Sequence, residues 1–146
     1  MDTRAPILKK ASKRAKTAKP KKKPPTLSKL KRETDRLFSL YIRAKYPKVC
    51  YTCGATGKTL QCGHFVSRSY LATRWTEDNA RQQCVGCNIW GRGKPLDFEE
   101  HLIEEIGAVK VADLKRLRHT LIKANRKFYE EKIGELSTKL LLVTNV

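Results

Sequence analysis

The chain has 146 residues, 40% of them hydrophobic and 32% charged, with a formal net charge of +18. That length allows one modest domain plus tails. No apolar run approaches the ~20 residues that a membrane-spanning helix needs, and the basic start has no apolar stretch behind it to make a secretory signal, so the chain reads as soluble and cytoplasmic.

The charge divides evenly. Residues 1–25 carry +9 and residues 26–146 carry another +9. The folded part is therefore basic without its tail, and nucleic acid is the expected partner, because Lys and Arg that neutralise phosphates release counterions. Five cysteines in an intracellular chain point to a metal rather than to disulfides.

Residues 1–25 are Lys, Arg, Ala and Pro with little to bury, and are expected to be a disordered basic tail. Residues 26–146 are expected to be a single domain. Thr26 to Tyr46 is helical, with Leu30, Leu37, Tyr41 and Ala44 on one face, Thr26 or Ser28 as cap and Pro47 as stop. Val49 to Cys53 reads as a short strand entering a tight turn at Cys53-Gly54. Thr59 to Val66 is a strand carrying His64. Ser67 to Glu77 is a loop, Asn79 to Gln83 a second strand, and a helix is expected to start near Cys84–Cys87. Gly91 and Gly93-Lys94-Pro95 break it.

Asp97 to Ile106 is a helix with Phe98, Leu102, Ile103 and Ile106 inside, ended by Gly107. Its five acids read as a solvated face, and His101 as a surface histidine. Val111 to Arg118 forms a short helix. Asn125 caps a last helix reaching about Leu142, whose seam of Tyr129, Ile133, Leu136 and Leu140 packs either on the N-terminal helix or on a second subunit.

The chemistry gathers between residues 50 and 88. Cys50, Cys53, Cys84 and Cys87 form two C-x2-C pairs, a spacing that suits tetrahedral zinc with no open position, hence a structural site. His64 lies between the pairs and could take a proton from water; the alternative is a packed or zinc-adjacent histidine. The carboxamide oxygen of Asn88 is a hard ligand suited to magnesium, with manganese as substitute. Cys62 is soft and reads as a packed residue. Arg68, Arg74, Arg81, Arg92 and Lys94 flank this region and are the expected DNA contacts. Trp75 could wedge into a junction base, although a core anchor is preferred.

Taken together, Cys-x2-Cys, Gly63-His64-Phe65-Val-Ser-Arg68, Ala72-Thr-Arg-Trp75, Asn79 and Gln83-Cys84-x2-Cys87-Asn88 resemble the phage NinG (Rap) recombination nuclease family over roughly residues 28–140. The centre is similar to the HNH or His-Me finger nucleases with a ββα-metal motif, and to endonuclease VII-type resolvases. The resemblance implies an α+β fold, a zinc-stabilised ββα-metal core flanked by helices. It implies His64 as general base, Asn88 as magnesium ligand and Asn79 as the residue that braces the loop around His64. It also implies a magnesium-dependent endonuclease for branched recombination intermediates such as Holliday junctions or D-loops, in the host cytoplasm if phage-encoded. A homodimer and contacts with recombination proteins stay open. Gly63 stands where many such nucleases carry a second metal ligand. The competing expectation is a non-catalytic zinc module that binds nucleic acid.

Overall fold

The computed structural model describes residues 23–145, so the expected tail lies, up to residue 22, outside the described residues. The architecture is mixed α+β: five helices and a two-stranded sheet. No helix among the described residues is long and apolar enough to cross a membrane.

Helix α1 spans Leu27–Lys45. The Thr26 hydroxyl accepts the Lys29 N–H at 3.4 Å, which satisfies one of the open donors of the first turn. Its apolar stripe buries Leu30, Leu37, Phe38, Tyr41 and Ile42; Ile42, and not the exposed Ala44, completes that face. At the other end of the chain, Asn125 Oδ1 accepts the Phe128 N–H at 2.9 Å and starts α5, Arg126–Thr144. Helix α5 makes its main packing against α1. Tyr129 and Leu136 enter the same core as Phe38 and Ile42, with Ile133 and Leu140 beside them. The heptad-like seam is thus satisfied within the chain, by the N-terminal helix.

Strands β1 (Leu60–His64) and β2 (Ala80–Cys84) pair antiparallel, from Leu60 opposite Cys84 to His64 opposite Ala80. The expected strand at Val49–Cys53 is a turn held by a single bridge between Val49 and Thr56, because the cysteine pair needs a reversal there. The connection from β1 to β2 is less open than expected: it contains one helical turn, α2 (Leu71–Arg74), and a tight turn over Glu77–Asn79.

After β2 the brief helix expected to start near Cys84–Cys87 is present as one wide helical turn, Gly86–Trp90, which ends at Gly91 as expected and is closed by Gly91 N–H to Gly86 O at 2.7 Å. Helix α3 then begins at Pro95, two residues before the expected Asp97, and runs to Ile106. Proline's fixed φ suits a first helical position, where its missing N–H costs nothing. Gly107, at φ 89, separates α3 from α4 (Ala108–Leu117). A second core joins Phe98 and Leu102 of α3 to Val111 and Leu114 of α4 and to Val66. The sheet and the wide turn lie between these two cores.

Candidate functional site

The four cysteine sulfurs lie within 4.8 Å of one another. A zinc ion with sulfur ligands at ~2.3 Å would set them about 3.8 Å apart, and Cys53 Sγ and Cys84 Sγ are separated by 3.9 Å. Backbone N–H groups turn toward the sulfurs: Cys84 N–H donates to Cys50 Sγ at 3.3 Å and Cys87 N–H to Cys84 Sγ at 3.4 Å. Burial of Cys50 resists ionisation, yet the N–H groups of Cys84 and Cys53 and the Thr52 hydroxyl overcome it and bring this thiol down to about 6. Of its neighbours, Cys53 and Cys87 are shifted the other way, upward, so it is the close grouping of four sulfurs that fits a metal such as zinc, which binds thiolates. It ties the turn before β1 to the turn after β2.

That tie helps to shape a cleft of ≈ 730 Å³. His64, Asn88, Arg68 and Arg92 all line it, together with Gln61, Cys62 and Asp35. Of the expected catalytic set, His64 and Asn88 are thus brought to one cavity. Asn79 lies behind it, fully buried.

His64 ends β1. Its Nε2 is 2.9 Å from the carbonyl oxygen of Arg74. A carbonyl only accepts, so Nε2 carries the hydrogen and Nδ1 keeps the lone pair. Burial lowers the histidine pKa; the Arg74 carbonyl opposes this, while the charges of Arg68 and Arg74 add to it. The ring is accordingly a neutral imidazole with one basic nitrogen near neutral pH. It also packs 5.8 Å from the Phe38 ring, centroid to centroid.

Two further residues hold that geometry. Asn79 Oδ1 accepts the Val66 N–H at 2.7 Å, and its Nδ2 donates to Val66 O at 2.9 Å and Thr73 O at 3.0 Å. The segment leaving His64 is therefore clamped to the turn before β2. Asp35 of α1 takes both arms of Arg74, at 2.8 and 2.7 Å, and the Trp75 indole N–H at 2.9 Å. This network fixes the residue whose carbonyl orients His64. Asp35 could not be found from sequence, since it sits 39 residues from Arg74 and resembles any exposed helix acid.

The same contacts correct the expected DNA-binding set. Arg74 is buried and committed to Asp35 and to the Arg68 carbonyl. Arg81 is only 2% exposed; it pairs with Glu105 at 2.8 Å, donates to Glu77 O and Ala80 O, and lies over the Tyr46 ring. Neither can reach a phosphate. Arg68, Arg92 and Lys94 are exposed, and Arg68 and Arg92 face the cleft. Trp75 is a core residue against Phe128 and Tyr129. The acid face of α3 is partly used, with Glu105 on Arg81 and Glu99 on Lys115. His101 is half-buried and bonded through Nδ1 to Tyr51 O at 2.8 Å, so it is no surface histidine. Burial pushes the Cys62 thiol up to about 12, as befits a packed, unreactive cysteine.

Asn88 donates Nδ2–H to Gln61 Oε1 at 2.8 Å. That bond fixes the carboxamide and leaves Oδ1 as its ligand atom. Gly63 lies on the strand face that meets Gln83. A Cβ there would come within 2.2 Å of Gln83 Oε1, so the position has no room for an acid. Both Asp35 oxygens are occupied by Arg74 and Trp75. Among the described residues the cleft thus offers Asn88 Oδ1 but no free carboxylate, the ligand magnesium usually takes.

Comparison with curated proteins and with solved structures gives no match. The family model described as bacteriophage lambda NinG protein matches residues 3–144, basic tail included, which extends the likeness well beyond residues 28–140. A match over nearly the whole chain places this protein in the NinG family.

Proposed function

We propose that this protein is a magnesium-dependent DNA endonuclease acting on branched recombination intermediates. Membership of the NinG family supports a role in phage recombination. The observation that carries the catalytic reading is the convergence of a neutral, singly basic His64 and of Asn88, its carboxamide held by Gln61, on one cleft edged by Arg68 and Arg92.

The zinc held by Cys50, Cys53, Cys84 and Cys87 is structural; all its positions are filled by sulfur. Arg68 and Arg92 hold the phosphate backbone across the cleft. His64 Nδ1 accepts a proton from a water molecule, whose oxygen forms a bond to phosphorus while the bond to the 3′ oxygen breaks. The leaving oxygen takes a proton from solvent. Asn88 Oδ1 would hold a magnesium ion, which would supply charge stabilisation at the phosphorus centre. Asn79, and Asp35 through Arg74, keep the imidazole aimed. In this reading recognition rests on the phosphate backbone and on DNA shape.

The test is incubation of the full chain with labelled four-way and Y-form DNA and with matched duplex, in Mg²⁺ and without it. Metal-dependent cuts near the branch are expected. The absence of a free carboxylate in the cleft favours the second reading, a zinc module that binds DNA without cutting it. That reading requires branched DNA to be bound and left intact under every divalent metal tried.

A further inference from the structure

Among the described residues, the wide turn that carries Asn88 also carries the most exposed aromatic side chain, and the nuclease mechanism leaves it unused. Trp90 is 81% exposed. Tryptophan is rarely left so open, since it is the largest apolar side chain. Trp75 shows the ordinary arrangement, 8% exposed with its indole N–H bonded to Asp35.

Trp90 does not stand alone. Ile89, exposed and lining the cleft, precedes it, and Leu96, 81% exposed, follows across the next turn. The ring is mounted on a stiff base. Gly91 N–H closes on Gly86 O at 2.7 Å and Gly93 N–H on Cys87 O at 2.8 Å, so the turn is tied to a cysteine of the metal cluster. Arg92 and Lys94 follow with left-handed backbone, φ 51 and 48. Non-glycine residues accept that conformation at a cost. Here it sets two cations on the same short segment as the ring: Arg92 faces the cleft, and Lys94 lies 3.8 Å from Asp97.

We propose that Trp90 is a base-stacking residue that makes the enzyme prefer DNA with unpaired or splayed bases beside the scissile phosphate. The inference rests on the nuclease reading of the cleft and names how that cleft chooses its substrate. An aromatic face flanked by cations is the pattern that binds a nucleotide: the cations hold the phosphate and the ring takes the base, whatever its sequence. An acceptor of purely apolar chemistry would gain nothing from Arg92 and Lys94. In continuous duplex every base face is already covered by its neighbours, and extruding a base costs free energy. At a junction or flap, an unpaired base offers its face at little cost. Stacking on Trp90 therefore discriminates by structure and not by sequence.

The test uses the full chain carrying His64→Ala, to prevent cutting, with and without Trp90→Ala or Trp90→Phe. Tryptophan fluorescence and affinity are measured on Y-form DNA with unpaired arms and on fully paired duplex of the same sequence. Y-form DNA should quench the emission, and Trp90→Ala should abolish that quenching. Its affinity for Y-form DNA should fall about tenfold, with duplex affinity changed by less than about twofold and Phe restoring most of the loss. Unchanged zinc content and thermal unfolding will show that the variant folds. Equal losses on both DNAs, or equal quenching by both, would overturn the proposal. So would no loss on either, which would assign the patch to a protein partner. Failure here leaves wild-type cleavage of branched DNA standing. Trp90-dependent binding without any cleavage would remove the nuclease reading and keep Trp90 as a base-stacking residue of a DNA-binding module.

Discussion

Gly63 and Gln83 show how much of the site depends on single atoms. The Gln83 amide is tethered by Nε2 to Gly93 O at 2.8 Å and to Thr52 Oγ1 at 3.2 Å. It cannot swing aside for a new neighbour, and a Cβ at position 63 would also lie 2.8 and 2.9 Å from its Cδ and Cγ. We expect Gly63→Ala to destabilise the fold by about 1–3 kcal/mol in denaturant unfolding. Gly63→Asp should cost more, because it adds charge to the same crowded face. A Gly63→Asp protein of unchanged stability would contradict this packing. His64 makes a separate prediction. Burial holds its pKa below the ordinary histidine value of ~6.5. The base must be unprotonated to act, so the rate should be level at neutral pH and fall only as pH drops through that lowered value. An acidic limb centred above the ordinary histidine range would count against His64 as the base.

At the scale of elements, the helices were the most legible part of the sequence. The 3.6-residue stripe of α1, the Thr26 and Asn125 caps and the seam of α5 each state their own position locally. The seam's partner was not legible, since a stripe names no acceptor; the structure gives α1. Leu136, 2% exposed between these helices, should cost about 2–5 kcal/mol when changed to Ala, measured by equilibrium unfolding. A loss under about 1 kcal/mol would mean that α5 is not docked as described. The brief helix after β2 was legible from its place between the cysteines and Gly91, although its wide winding was not. Arg74 and Arg81 were misread because their partners are distant in sequence. Their acids, Asp35 and Glu105, are 39 and 24 residues away, and an arginine buried against a distant acid looks in sequence like one bound to phosphate. Arg81→Ala should therefore lower stability by about 1–3 kcal/mol in equilibrium unfolding, by emptying a buried site and stripping the Glu77 and Ala80 carbonyls of their donor, rather than weaken DNA binding alone.

For the whole molecule, the four clustered cysteines stand where the turns before β1 and after β2 meet, and could hold a metal such as zinc there. In the proposed reading that metal takes the place of a larger core. Metal analysis of the purified chain should find about one zinc, and chelation should unfold the sheet region, seen as loss of the cooperative transition. An unchanged transition after complete metal removal would show the cluster to be dispensable. The cysteine spacing made this metal frame readable from sequence, whereas the cleft that it supports became visible only once β1, the wide turn and α1 were set side by side.

If His64 is the base of a DNA-cutting site, its removal must stop the chemistry and spare binding. The direct comparison is wild type against His64→Ala, matched for zinc content and thermal stability, on a labelled four-way junction in Mg²⁺ under single-turnover conditions. Wild type should cleave, and the rate for His64→Ala should fall at least about 100-fold, with junction affinity retained. Equal cleavage by the two proteins, or none by wild type, would contradict that role.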